Sequence, residues 1–364
     1  MDIRELAVKT LDSISENDLA KYFLNYSDST PCYAIGKNTE SLALNAISQL
    51  DGIIDDYRGD KTHWEGIPLV GTGEVSKSAI IANCSTSIRP VDVLKHLKNE
   101  GFTKIVGLHE LLKIPGLGNA LPRFVESMRK EIKIHSQNWQ EIYNNLSDEE
   151  SKKTFLDVVR YRLSAEPAYM ENYSVRIEQQ YLEKFMNYRQ EIFVDAGGFD
   201  GDTSESFALR YPDYKKIIFF EPSQKNMVDA KKRLKKFQRI EYHQIGLSDS
   251  SGTLNFDENA GSASSVNAKG NQSIKVDALD VLVSEPISFI KMDLEGWEIH
   301  ALKGARGHIE KEKPKLAIAA YHDSSDFRVI FDYIMAIHPD YSVYLRHYTQ
   351  GWSETIMYFV PKIR

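Results

Sequence analysis

The feature that most constrains this chain is an apolar run, EIFVDAGG, that carries Asp195 into a turn holding Gly197, Gly198 and Gly201. Glycines at such a place let the backbone bend sharply and come close to a ligand. The segments that follow keep a strand–helix rhythm. KIIFFEP reads as a strand and Gln224 to Phe237 as a helix. IEYHQIGLSD reads as a strand with a loop, GTLNF as a short strand and ISFIKMD as a buried one. Trp297 to Lys311 and Phe327 to Ile337 read as helices around the strand KLAIAAYH. YSVYLRHY and ETIMYFVP close the chain as two strands joined by a short polar turn. Alternation of this kind predicts an α/β fold with a doubly wound, mostly parallel sheet.

The N-terminal part repeats the rhythm on a smaller scale. Leu6, Val8, Leu11, Ile14, Leu19 and Phe23 mark helical segments within the first 30 residues. CYAIG, GIIDDY, SAIIAN and KIVGL read as strands, with helices at 40–50 and 90–99. This predicts a small Rossmann-like α/β domain over 1–115. Residues 116–190 lose the strand pattern and read as a helical connector, with Ser147 as N-cap and Glu150 completing a capping box. The third expected domain is 191–364. A chain of 364 residues suits two or three such units.

Charge and cysteine content narrow the partners. A formal charge of -7 gives no global attraction for nucleic acid. The basic run at 225–239 reads as a solvated helix face, with Met227, Ala230, Leu234 and Phe237 turned to the sheet. Only two cysteines, Cys32 and Cys84, are present, which excludes a disulfide framework and suits a reducing compartment. The charged N-terminus has no apolar segment of the secretory kind, and no stretch is long and apolar enough to cross a membrane. The expectation is a cytoplasmic protein without a membrane span, with self-association left open.

The turn itself discriminates among ligands. The strand IIFFEP ends in Glu221, and an acid at that point suits the two hydroxyls of a ribose. A dinucleotide site wants G-x-G-x-x-G, whereas this turn reads D-A-G-G-F-D-G-D with acids at 195, 200 and 202. Those carboxylates would repel a pyrophosphate and attract a sulfonium and an α-amino group. The pattern therefore points to S-adenosylmethionine rather than NAD, and no phosphate-binding G-K-[ST] follows the turn.

FVDAGGFDGDTS, FFEPS, GLSD and IKMDLEGWE, in that order, resemble the FkbM-type methyltransferases over about 191–362, ending with LRHY and ETIMYFVP. SDEESKKTFLDVVRYRL is similar to the helical lead-in of some members. The resemblance implies a class I methyltransferase sheet of seven strands with the last one antiparallel. It implies S-adenosylmethionine-dependent methylation, usually of oxygen, often in carbohydrate or secondary-metabolite pathways. The acceptor would be a small molecule or glycan. It further implies that Asp195 and Gly197, with Gly198 in the same turn, serve the methionine side, that Glu221 serves the ribose, and that Ser248 and Asp249 lie beside the adenine.

Oxygen methylation needs a proton removed from the acceptor, by a base or with a metal's help. Asp293 ends a buried strand, where the ligand crevice of such sheets lies. Glu295 follows it, and reads equally as an acid at a helix N-terminus. His322 ends the next strand, and its ordinary pKa of about 6.5 fits a base. The candidate catalytic residues are Asp293 and His322. Asp293, Glu295 and His322 match no close-spaced zinc motif, so a divalent metal is open but unsupported. His347 and Tyr348 end the penultimate strand and suit the acceptor side or packing, and His243 reads as structural. The loop GSASS at 261–265 reads as a cover for the cofactor or a simple turn.

Residues 31–110 also resemble the nucleotide-sugar-binding domain of bacterial sugar acyltransferases. The turn after Cys32 keeps only Gly36, with Lys37, Asn38 and Thr39 in place of further glycines. Asp55 and Asp56 stand where a ribose or base contact belongs, and Arg89 where a phosphate contact does. Two other readings stay open: an NAD-dependent nucleotide-sugar oxidoreductase or epimerase, and a non-catalytic binding protein with a methyltransferase fold. The first lacks a full dinucleotide turn and a suitably placed Tyr-x-x-x-Lys pair.

Overall fold

The computed structural model describes residues 2–24, 30–114, 122–256 and 272–362, and the loop at 261–265 lies outside them. The chain forms two compact units that are not contiguous in sequence. One comprises residues 1–140, 153–175 and 348–353, and the other 141–152, 176–347 and 354–364.

The first unit is built on six strands: β1 (Cys32–Ile35), β2 (Gly52–Ile54), β3 (His63–Trp64), β4 (Ile67–Val70), β5 (Ile80–Asn83) and β6 (Ile105–Gly107). Their order is β3-β4-β2-β1-β5-β6, parallel except for the edge pair β3–β4. Its helices include α1 (Ile3–Ser13), α2 (Asp18–Leu24), α3 (Thr39–Ser48), α4 (Pro90–Asn99) and α5 (Leu108–Leu111). One face of the sheet buries Cys32, Ala34, Ile80 and Ala82 against Phe23 and Leu44. Cys32 and Cys84 are free and buried. Two longer helices follow, α6 (Arg123–Asn145) and α7 (Glu149–Ser164). The cap of α7 is one residue later than the sequence pattern predicts. Asp148 Oδ1 accepts from Ser151 N at 2.7 Å. Ser147 instead exchanges bonds with Val343, its N donating at 2.8 Å and its hydroxyl accepting at 3.0 Å. It thereby pairs the exposed edge of a strand, which would otherwise be open to aggregation.

The second unit holds a seven-stranded sheet of β7 (Ile192–Ala196), β8 (Lys216–Phe220), β9 (Ile240–His243), β13 (Phe289–Met292), β14 (Lys315–Ala319), β15 (Tyr341–His347) and β16 (Thr355–Pro361). Their order is β15-β16-β14-β13-β7-β8-β9. Only β16 runs antiparallel to its neighbours, and it lies between β14 and the edge strand β15. A separate three-stranded sheet joins β10 (Gly246–Leu247), β11 (Gly252–Phe256) and β12 (Gln272–Asp277). β12 is absent from the sequence expectation, although Ile274 and Val276 alternate with polar residues and are buried.

The helices of this unit are α8 (Asp202–Arg210), α9 (Gln224–Leu234), α10 (Leu279–Leu282), α11 (Glu298–Gly304), α12 (Arg306–Glu312) and α13 (Asp326–Ile337). α9 packs as its pattern predicts: Met227, Ala230 and Leu234 are buried against Phe219, with Phe237 beside them. The single helix predicted at 297–311 is two, broken at Ala305. Gly304 lies against Ser248, whose carbonyl oxygen would be 1.9 Å from any Cβ there. The sheet core is aromatic, with Phe193 stacked on Phe289 and Phe207 tilted against Phe193. Among the described residues no helix is long and apolar enough to cross a membrane.

Candidate active site

Strand order reverses beside β7. The chain runs outward through β8 and β9 on one side and through β13 and β14 on the other. At such a switch point the two connections leave in opposite directions and open a crevice beyond the strand C-termini. The glycine turn at 197–201 and Asp293 both lie there. Gly197 has φ +73°, and a Cβ on it would stand 1.9 Å from the carbonyl oxygen of Asp293. A Cβ on Gly198 would meet the Phe219 ring at 2.1 Å. Both glycines are thus required by close backbone approach, whatever ligand is bound. Gly201, at φ +86°, precedes α8.

Asp195 is fully buried. One carboxylate oxygen accepts from the Ser204 hydroxyl at 2.6 Å, and the other lies 3.2 Å from the ammonium of Lys291. Lys291 is the direct neighbour of Asp195 in the β7–β13 register. Its Nζ also donates to the carbonyls of Ala196 and Gly197, at 3.3 and 2.8 Å. Burial works against its charge, but Asp195, Asp293 and Asp202 together hold its pKa above the usual lysine value. The resemblance assigns Asp195 to the methionine side, and in this structure its carboxylate lies against the Ser204 hydroxyl and the Lys291 ammonium that grips the turn. Asp200 is engaged as well, paired with Arg233. Burial raises the Asp202 carboxyl pKa, against the pull of Lys291.

Glu221 lies just beyond β8 and is buried. Its carboxylate accepts from Phe199 N in the glycine turn at 3.0 Å and from Ser223 N at 2.8 Å. Burial pushes its pKa up to about 7, against the pull of those donors. Carboxylate oxygens have about four lone-pair sites between them, so capacity remains for a further donor. Ser248 is buried, and its hydroxyl accepts from the Trp297 indole at 3.3 Å. Asp249 is half-exposed and pairs with His300 at 3.2 Å. Trp297 stacks on His300 at 4.2 Å between ring centres. The two residues expected near an adenine therefore sit beside an aromatic pair that the sequence reading did not single out.

The next two strand ends bring together side chains 29 residues apart. Asp293 Oδ1 lies 3.6 Å from His322 Nε2, and Glu295 Oε2 lies 3.2 Å from the same nitrogen. His322 Nδ1 faces Glu298 Oε1 at 3.3 Å. Glu298 is itself fixed by Leu294 N, which donates to it at 2.7 Å. Glu295 sits at φ +53° and Gly296 at φ +94°, a left-handed pair that folds the segment back over the strand end. Tyr181 donates to Asp293 Oδ2 at 2.7 Å, and Tyr321 approaches the same carboxylate at 3.4 Å. Burial disfavours charge on His322, but the carboxylates of Glu295, Glu298 and Asp293 outweigh it and hold its pKa well above 6.5. The ring thus lies against three carboxylates, with Asp293 and Glu295 both facing its Nε2. Burial and the Asp293 charge also push Glu354 up to about 7.

The remaining candidates have partners within the protein. His347 is buried and bonds Thr355 Oγ1 at 2.8 Å. His243 stacks on Phe220 and pairs with Glu241. In the first unit, Lys37 pairs with Asp55 at 2.6 Å, and Asp56 accepts from Thr72 N and Oγ1 at 2.7 and 2.6 Å. Arg89 lies 3.4 Å from Asp92, and Asn38 caps α3 through Ser41 N. Lys291 and Tyr181 were missed. Lys291 did leave a signal, as the one charge inside the apolar run ISFIKM. Tyr181 left none.

Residues 195–348 match the family model of the methyltransferase FkbM domain. The crystal structure of methyltransferase FkbM from Methylobacillus flagellatus KT is similar over 98% of this chain and 99% of that one. The identity is 22% and the TM-score 0.76. An rRNA methylase from Streptococcus thermophilus matches 48% of this chain and 89% of its own, at 18% identity and a TM-score of 0.33. Fibrillarin from Aeropyrum pernix, in complex with natively bound S-adenosyl-L-methionine, matches 48% and 68%, at 9% identity and a TM-score of 0.31. No curated protein sequence matches. The likeness of residues 31–110 to sugar-acyltransferase domains finds no support in these matches.

Proposed function

We propose, from the premise that residues 195–348 form an FkbM methyltransferase domain, that the protein transfers the methyl group of S-adenosylmethionine to a hydroxyl of a sugar, sugar nucleotide or glycan. The observation that carries this reading is the meeting of the glycine turn, Glu221 and Asp293 at one switch point. The residues present fit the donor. Glu221 offers a buried carboxylate to a ribose diol, and Trp297 with Ser248 offers an apolar wall and a hydroxyl to an adenine. Gly197 and Gly198 keep side chains out of the turn between them. Bound there, S-adenosylmethionine supplies a sulfonium-activated methyl carbon, and its transfer to oxygen leaves S-adenosylhomocysteine and one proton.

The chain's own contribution is chiefly positioning. Lys291 holds the carbonyls of the turn and so fixes its path. Asp293 is held by Tyr181, faces the His322 ring, and presents a carboxylate to the acceptor hydroxyl. That carboxylate, with Glu295 beside it, takes the hydroxyl proton as the new C–O bond forms and the C–S bond breaks. His322 lies against both carboxylates and orients them.

Calorimetry with S-adenosylhomocysteine tests the reading. Wild type binds it and does not bind NAD. Glu221→Ala loses about 10- to 100-fold in affinity, the value of a charge-assisted hydrogen bond. Asp293→Asn keeps that affinity but loses transfer by about 10²- to 10⁴-fold, the usual contribution of a positioned base. Equal binding by wild type and Glu221→Ala would refute the assignment.

A further inference from the structure

The cluster of Asp293, Glu295 and His322 has a geometry that proton transfer alone does not require. One donor atom from each residue can be chosen so that all lie within 4.8 Å of one another. Two of the separations are 3.2 and 3.6 Å, both measured to the same imidazole nitrogen, His322 Nε2. Ligands held about 2.1 Å from one metal ion, in adjacent positions, lie roughly 3 to 3.5 Å apart. The Glu295 separation falls within that range and the Asp293 separation just beyond it, so a small side-chain shift would close a coordination shell.

Two independent features of His322 point the same way. Both ring nitrogens are shut off from solvent, yet neither forms a hydrogen bond of good geometry. Buried polar atoms in folded proteins nearly always have such a partner. In addition, Nδ1 faces Glu298 Oε1 at 3.3 Å, and Glu298 is almost fully buried and fixed by the backbone. A carboxylate behind Nδ1 is the arrangement that sets a metal-ligating histidine, because it holds the proton on Nδ1 and leaves the Nε2 lone pair free. The side chains of Asp293 and Glu295 keep about a fifth of their surface open. That opening leaves room for water or an acceptor oxygen on the remaining coordination positions.

We infer that Asp293, Glu295 and His322 Nε2 form a binding site for a divalent cation, with Glu298 as the positioning residue behind the imidazole. Two carboxylate oxygens and one imidazole nitrogen favour a Mn²⁺-like ion over Ca²⁺, which prefers oxygen alone, and lack the thiolates of a softer site. The inference rests on the proposed function only for the ion's use. There it would lie against the acceptor hydroxyl, lower its pKa and fix its oxygen.

The test is Mn²⁺ titration of the full chain, followed by loss of the free-ion electron paramagnetic resonance signal. The expected result is one saturable site per chain. His322→Gln abolishes it, and Glu298→Gln weakens it by about 10- to 100-fold, the usual effect of removing a partner behind a ligand. Calorimetry with S-adenosylhomocysteine shows that the variants are folded, since that affinity stays unchanged. Glu74→Gln, in the other unit, binds Mn²⁺ as wild type does. Absence of saturable binding, or equal binding by wild type and His322→Gln, overturns the site. The two readings fail separately. Methyl transfer by a protein that shows no saturable Mn²⁺ binding removes the cation site alone. Mn²⁺ binding that depends on His322, in a protein that does not bind S-adenosylhomocysteine, removes the donor assignment alone.

Discussion

Both units of the molecule open a parallel sheet with a strand, a turn and a helix, yet they treat charge differently. After β1, each candidate ligand residue is matched to a nearby partner at the surface. Lys37 pairs with Asp55, Asp56 with Thr72, Arg89 with Asp92, and Asn38 caps its own helix. After β7, charge is taken inside. Lys291 and Asp195 are buried together, Glu221 is buried with a pKa near 7, and three carboxylates surround His322. Burying charge is costly, and unbalanced buried charge persists where a site uses it. The comparison teaches that the strand–turn–helix unit alone does not mark function. Charge carried into the interior is what sets the second turn apart.

The largest expected difference concerns the two lysines. Lys291→Met leaves Asp195 as an unpaired buried charge and should cost about 3 to 5 kcal/mol in chemical denaturation. Lys37→Met removes a half-exposed partner and should cost at most about 1 kcal/mol. Similar losses in the two variants would break the contrast.

A smaller effect separates the two units by its sign with pH. Glu221 has a raised pKa, about 7 against 4.5. Its protonated form favours the native state, so this stability is complete below pH 4.5 and is lost as pH rises to about 7. Wild type should therefore fall relative to Glu221→Gln by about 3 kcal/mol across that window. Glu74 in the first unit is lowered to about 2 by Arg58 and Gly71 N. Its stabilisation is complete above 4.5 and is lost as pH falls toward 2. Glu74→Gln should thus diverge from wild type in the opposite direction. Denaturation midpoints between pH 3 and pH 8 decide both, and a Glu221→Gln difference that is flat with pH would refute the buried-charge account of this site.

Much of this was legible in the chain. A strand running into three glycines places the switch point, and Glu221 and Asp293 are legible because they end strands whose C-termini must face the crevice. The alternation of strands and helices gives both sheets, and the polar run at 272–277 hid β12 only because its two apolar residues are few. What the sequence could not carry is pairing across the fold. Tyr181 reaches Asp293 across 112 positions, and no local pattern encodes that. The meeting of Asp293, Glu295 and His322 depends on the β13–β14 register, so their spacing matched no short motif. The sign of the His322 shift was likewise hidden, because it comes from Glu295, Glu298 and Asp293 meeting at the ring. Lys291 was visible as a charge within an apolar strand, but its partner was visible only once β7 and β13 were paired.

A crystal structure of the protein grown with S-adenosylhomocysteine addresses the central claim most directly. The account predicts the ligand beyond the β7 C-terminus, with its sulfur over Gly197 and Gly198 and its ribose hydroxyls on Glu221. Ligand bound at the Gly36 turn instead, or a β7 turn that stays empty at saturating ligand, would contradict it.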